Sequence, residues 1–182
     1  SFLMICMISV MLPRAAVSAT RVDEVLVSHT LIHDPENPKK LPEDGYGEVT
    51  FDHVSFRYPG AEEDVLHDIS FTAKPGQTTA FIGSTGSGKS TLVNLIPRFY
   101  DVTEGKITLD GEDIRNITQH ELRDKLGYVP QKGILFSGDI ASNILYGNPD
   151  GSEEDMKEAA TIAQATEFIE AKKKKYQSSI SQ

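Results

Sequence analysis

The chain opens with a nearly unbroken apolar run from Ser1 to Leu12, and its first charge is Arg14. A helix crossing about 30 Å of hydrocarbon needs roughly 20 such residues, so residues 1–19 read as the end of a transmembrane helix. Arg14 and Arg21 then mark its cytoplasmic side. A signal-peptide core competes with this reading, because Val17-Ser18-Ala19 resembles a small-residue cleavage site, yet no basic stretch precedes the run. From Ala15 to about Ile32 the pattern becomes amphipathic. Val22, Val25, Leu26 and His29 share one helical face, with Asp23 and Glu24 opposite. No cluster surrounds His29, so it reads as a surface or interface residue. The proline- and charge-rich stretch from His33 to Gly45 is linker chemistry, giving an amphipathic helix and linker over 20–46.

A soluble region follows from residue 47 to 182. Glu48 to Tyr58 alternates apolar and polar positions, which predicts an antiparallel strand, and Pro59-Gly60 turns it. Val65 to Ala73 reads as a second strand. Thr78 to Ile82 is short, apolar and partly β-branched, as a buried strand would be. Thr91 to Ile96 is an apolar helical stretch ended by Pro97. Lys106 to Leu109 predicts another strand, closed by an Asp110-Gly111 turn. Thr118 to Leu126 predicts a short helix with Thr118 as N-cap and Glu121 completing a capping box. Gly127 to Gln131 reads as a strand stopped at Pro130. Beyond it the pattern is helical: Ile140 to Tyr146, then Ser152 to Ala171 with Glu153, Glu154 and Asp155 at its start. Lys172 to Lys175 closes that helix, where lysines complement the dipole, so a solvated helix end is preferred to a membrane or nucleic-acid patch. The order implies an α/β core with β-rich additions that turns helical in its last third.

The chemistry concentrates in Gly83-Ser84-Thr85-Gly86-Ser87-Gly88-Lys89-Ser90, which fits G-x-x-x-x-G-K-[ST] and is followed by Thr91. Nucleotide phosphates carry several negative charges, and backbone amides must come close to cradle them. Glycines at 83, 86 and 88 permit conformations and approaches that a Cβ would hinder. The helix behind the loop presents its positive end to the same charge. Lys89 would reach the β- and γ-phosphates, and the Ser90 hydroxyl would ligate Mg²⁺. Strand, glycine loop and helix in that order is the context this motif requires.

Composition narrows the options. The 182 residues carry a net charge of −9 with 25% charged residues, which suits a globular chain. The acidic balance argues against a nucleic-acid partner. Cys6 stands alone, so no internal disulfide framework exists, which fits a cytosolic location.

With these motifs in order, the chain resembles the nucleotide-binding domain of an ATP-binding cassette transporter of the exporter type, in which membrane and ATPase domains share one polypeptide. The resemblance rests on Val54-Ser55-Phe56-Arg57-Tyr58-Pro59, on Val65-Leu66-His67-Asp68-Ile69-Ser70-Phe71, on the phosphate loop, on Gly127-Tyr128-Val129-Pro130-Gln131 and on Leu135 to Ile144. It implies a P-loop NTPase (RecA-like) core to about residue 131 with an antiparallel β subdomain, then the start of a helical subdomain. It also implies that Tyr58 is the aromatic that stacks on adenine. Gln131 would be the glutamine that meets Mg²⁺ or the attacking water and links nucleotide to membrane domain. ATP, Mg²⁺, the membrane and a second nucleotide-binding domain, as homodimer or heterodimer, are the implied partners.

The chain also departs from the family. A Ser-Gly-Gly-Gln signature, an apolar strand ending in Asp-Glu and a switch histidine should follow Gln131, and none is present. His53, His67 and His120 lie before the helical region and do not fit the switch position. The Asp-Glu pair would polarise the attacking water, so nucleotide binding is expected here but hydrolysis lacks its base. The chain thus reads as a truncated fragment. Without the Asp-Glu strand beside it, the strand leading into the phosphate loop is expected to expose an edge and apolar surface. Three functions remain: the ATPase module of an exporter, a nucleotide-binding fragment without turnover, and a non-transport cassette ATPase of DNA repair or translation. The apolar N-terminus, the linker and the acidic balance speak against the third.

Overall fold

The computed structural model describes residues 2–180; Ser1, Ser181 and Gln182 lie outside the described residues. The chain divides into two compact units, one ending at Tyr128 and the other starting at Val129.

The first unit begins with α1 (Phe2–Leu26), one continuous helix that carries Pro13 inside it. It runs through the expected division at residue 19 and stops before His29, which lies past the helix end with Leu31 and Ile32. Val22, Val25 and Leu26 are exposed. No described helix is long and apolar enough to cross a membrane. The linker is stitched to the rest of the unit. Gln119 donates its backbone N–H and its side-chain amide to Asp34 Oδ1 at 2.9 and 3.1 Å, and these bonds hold that carboxyl below its usual pKa. Lys39 pairs with Glu112 at 3.0 Å.

The sheet of this unit has the order β2-β1-β3-β4 among the described residues, every neighbouring pair antiparallel. Its strands are β1 (Val49–Phe56), β2 (Leu66–Ala73), β3 (Glu104–Leu109) and β4 (Glu112–Asp113). In β1 the apolar positions change phase: Val49 and Phe51 are odd, Val54 and Phe56 even. A strict two-residue period would send one pair to solvent. The register shift between Phe51 and Val54 absorbs the extra residue, with His53 at φ 51°, and Phe51, Val54 and Phe56 are all buried. Gly105, at φ +75°, lies opposite the bulge, where a Cβ would run into the carbonyls of Asp52 and His53.

Against this sheet pack α2 (Lys89–Leu95) and α3 (Gln119–Asp124) through Leu92, Leu95, Ile117 and Leu122. Each such side chain contributes roughly 1.5–3 kcal/mol when fully buried. Thr118 caps α3 by accepting from the Glu121 N–H at 3.2 Å. The expected box is only half made, because the Glu121 carboxylate accepts instead from the Leu41 N–H at 3.0 Å.

Two expected strands are absent. Thr78 to Ile82 and Gly127 to Gln131 form no ladder among the described residues, since a strand exists only where a second segment pairs with it. Ile82 is 97% exposed in consequence. Tyr128 is held by its side chain instead: its hydroxyl donates to Asn94 Oδ1 at 2.6 Å and its ring stands edge-on to Phe99.

The second unit holds β5 (Gly138–Asp139), α4 (Ile140–Ile144), α5 (Glu153–Ile162), α6 (Thr166–Glu170) and β6 (Ser179–Ile180), with β5 and β6 antiparallel. Asp139 and Ser152 each close a capping box. The single helix expected from Ser152 to Ala171 is two. Gln164 sits at φ 55°, and the turn there lets Met156, Ala160 and Ile169 converge on Ile140 and Tyr176. Among the lysines after α6, Lys175 pairs with Glu170 at 2.6 Å and Lys172 lies over the Phe168 ring.

Two measurements check this account. Gly105→Ala should lower the unfolding free energy by about 1–3 kcal/mol, the cost of a strained backbone position, as read from urea denaturation. His53 Nδ1 lies 2.6 Å from Asp68 Oδ1, and that hydrogen bond and charge raise the imidazole pKa. The pair's stabilisation is therefore complete below pH of about 6.5 and fades as pH rises through the elevated folded value. An NMR titration should show a midpoint above that of a free histidine, returning to normal in Asp68→Asn.

Candidate functional site

The phosphate loop links the unpaired segment ending at Ile82 to α2. Gly86 and Gly88 take φ values of 83° and 84°, in the left-handed region open mainly to glycine. Gly88 is the N-cap of α2 and makes no side-chain cap, and a Cβ on it would come within 2.8 Å of Leu66 Cδ2. That helix start is pressed directly onto the beginning of β2. Gly83 has a different constraint: a Cβ there would sit 2.7 Å from Ser87 Oγ. Ser84, Thr85, Ser87 and Ser90 are exposed around the loop.

Lys89 folds over the loop it follows. Its Nζ donates to the carbonyls of Gly83 at 2.9 Å and Ser84 at 2.6 Å, and to Ser87 Oγ at 3.2 Å. No carboxylate pairs with it among the described residues. Its positive charge is thus solvated by neutral dipoles and available to an anion. A cleft of about 310 Å³ lined by Phe81, Ile82, Gly83, Ser87, Gly88 and Lys89, with apolar residues of β2 and α2, flanks the loop.

Thr91 points away from solvent. It is 7% exposed, and its hydroxyl lies 2.8 Å from that of Tyr58. Tyr58 follows β1, partly buried, its ring edge-to-face with Phe56 (4.9 Å between centroids) and Tyr100 (5.2 Å). The first unit therefore brings Tyr58, the loop and Thr91 together. Gln131 belongs to the second unit, exposed in a bend.

Residues without a motif signal hold the far end of α2. Arg123 donates from Nε to the Pro97 carbonyl at 3.0 Å and from Nη2 to that of Arg98 at 3.3 Å, satisfying groups a helix end leaves open. Arg98, at φ 55° and 4% exposed, donates to Asp101 at 2.7 Å and to the His33 carbonyl at 3.1 Å; its Nη1 is buried with no partner. Only the arginine codes themselves signalled these contacts, since each partner is fixed by tertiary packing.

The residues present fit a nucleotide polyphosphate. Positive-φ glycines open the loop, its close approaches exclude side chains, and an uncommitted ammonium covers it. They fit Mg²⁺ as well: Ser90 supplies one exposed hard oxygen, and such ions complete their shell with phosphate oxygens and water. Gly88→Ala, which adds both backbone strain and overlap with Leu66, should cost about 1–3 kcal/mol of stability and weaken nucleotide binding together, as read by thermal melting and calorimetry.

Known proteins place the chain. The family model described as "ABC transporter" matches residues 66–182. An uncharacterized ABC transporter ATP-binding protein of Mycobacterium tuberculosis is 49% identical over 172 residues, covering 92% of this chain and 29% of that protein. A "Putative multidrug export ATP-binding/permease protein" of Staphylococcus aureus is 48% identical over 123 residues, covering 68% of this chain and 21% of its own length. A solved bacterial Atm1-family ABC exporter with ATP bound superposes with a TM-score of 0.86 at 34% identity, over 98% of this chain and 31% of that one. The chain therefore spans less than a third of the length of these relatives. A phosphate loop of this geometry, within a match that covers most of the chain, makes it a member of the ABC transporter family.

Proposed function

We propose that the chain is the ATP-binding part of an ABC exporter, which couples ATP binding and hydrolysis to the movement of a substrate across a membrane. The observation that carries this reading is Lys89 held over a glycine loop whose Gly86 and Gly88 adopt φ values of 83° and 84°. The exporter names and title among its relatives support the transport half.

Each residue has a role in this reading. Gly83, Ser84, Thr85, Gly86, Ser87 and Gly88 wrap the phosphates with backbone amides. Lys89 exchanges its loop carbonyls for β- and γ-phosphate oxygens. Ser90 and Gln131 reach Mg²⁺, Gln131 also orienting the attacking water, and Tyr58 takes the adenine. Bound Mg²⁺ would neutralise charge on the phosphate oxygens. Residues 1–19 are the end of a membrane helix, 20–46 connect it, and 47–182 lie on the cytoplasmic side of the cell membrane, pairing with a second nucleotide-binding domain. Specificity for the transported substrate is a matter for the membrane helices.

A second reading has its own support. Signature, Asp-Glu strand end and switch histidine are not among the 182 residues, so this polypeptide by itself binds nucleotide without turning it over.

Calorimetry and phosphate release on one purified sample test both. Lys89→Ala should weaken ATP binding at least about tenfold, as loss of a charge-assisted contact would, and neither protein should release phosphate. ATP affinity unaffected in Lys89→Ala would sink the phosphate-loop assignment. Turnover that the wild type shows and Lys89→Ala lacks would mean that another residue supplies the base.

A further inference from the structure

The hydroxyls of Tyr58 and Thr91 lie 2.8 Å apart in a partly buried setting, and they join two otherwise separate parts of the site. Tyr58 follows β1, just before the Pro59-Gly60 turn. Thr91 stands in the first turn of α2, immediately after Ser90. Around the pair, Phe56 and Tyr100 meet the tyrosine ring at 81° and 89°, so aromatic edges confine it on the sheet side. Edge contacts limit how far a ring can move sideways, but its rotation about the side-chain bonds needs a directional partner. The threonine hydroxyl is that partner.

We propose that Thr91 is a positioning residue for the base platform: its hydroxyl fixes the Tyr58 ring relative to the phosphate loop and so sets the preference for an adenine nucleotide over a bare polyphosphate. This rests on the reading of Tyr58 and the loop given above. Thr91 lies 7% exposed with its oxygen turned to Tyr58, which assigns it to the ring and not to the phosphates. Covalent continuity makes the link short. A shift of the loop on binding would move Ser90, then Thr91, and through one hydrogen bond the ring against which the base rests. Thr91 thereby ties the two halves of a nucleotide, base and polyphosphate, to one helix turn.

The test is calorimetric titration of the full chain with Mg-ATP and with Mg-tripolyphosphate, for the wild type, Thr91→Val, Thr91→Ser, Tyr58→Phe and the double variant Thr91→Val/Tyr58→Phe. The quantity read is the ratio of the two dissociation constants, which cancels effects common to both ligands. Phenylalanine stacks as tyrosine does, so a loss in Tyr58→Phe reports the hydroxyl link and not the ring. Thr91→Val and Tyr58→Phe should each reduce the preference for ATP about fivefold, the net worth of one neutral hydrogen bond. The double variant should lose no more than either single one, and Thr91→Ser should restore the wild-type ratio. An unchanged ratio in Thr91→Val or Tyr58→Phe, or losses that add in the double variant, would overturn the proposal. A wild type that binds tripolyphosphate as tightly as ATP would remove the base platform and this inference with it. A wild type that binds neither ligand would instead reject the phosphate-loop reading on which both stand.

Discussion

How closely α2 begins against β2 is the constraint from which the site follows. Gly88 approaches Leu66 and the Val65 carbonyl so tightly that no side chain fits between. Moving the helix outward by the width of a methyl group would withdraw Leu92 and Leu95 from the core and part Thr91 from Tyr58. The glycine thus acts twice, once by its backbone angle and once by its absent side chain. At the other end Arg123 grips the carbonyls of Pro97 and Arg98. A helix of seven residues is too short to hold itself in water, so its order comes from these two ends and the apolar face between them.

The loop is arranged around a single cation. Three neutral oxygens surround the Lys89 ammonium, and none belongs to a carboxylate. A carboxylate there would compete with a polyphosphate on equal terms, whereas carbonyl and hydroxyl dipoles yield to a multiply charged ligand at smaller electrostatic cost. The lysine is thereby ordered before any ligand arrives and still exchangeable.

What could be read in advance follows from how local each feature is. The phosphate loop is a contiguous run whose glycines report their own backbone demands, and the capping roles of Thr118 and Ser152 span three residues each. The antiparallel strands from Val49 and Leu66 were legible because alternation is itself a sequence pattern. Thr78 to Ile82 was misread because its composition describes a willingness to pair, while strand formation needs a neighbour. The division at Gln164 was hidden for a related reason, since nothing in its code breaks a helix and the turn is imposed by Ile169 and Met156 meeting one core. Tyr58 could be picked out by motif, yet its bond to Thr91 joins residues 33 apart and belongs to tertiary packing alone. Arg98 and Arg123 were silent in the same sense.

The bulge in β1 has a bearing on geometry well beyond the sheet. Side chains alternate faces along a strand, so each residue inserted or removed inverts everything downstream. Phe51 lies before the irregularity, and Val54, Phe56 and Tyr58 come after it with the opposite parity. Without the extra residue at His53, the aromatic that meets Thr91 would project from the other side of the sheet. One supernumerary residue, itself exposed and chemically idle, is what hands the strand's last aromatic to the helix.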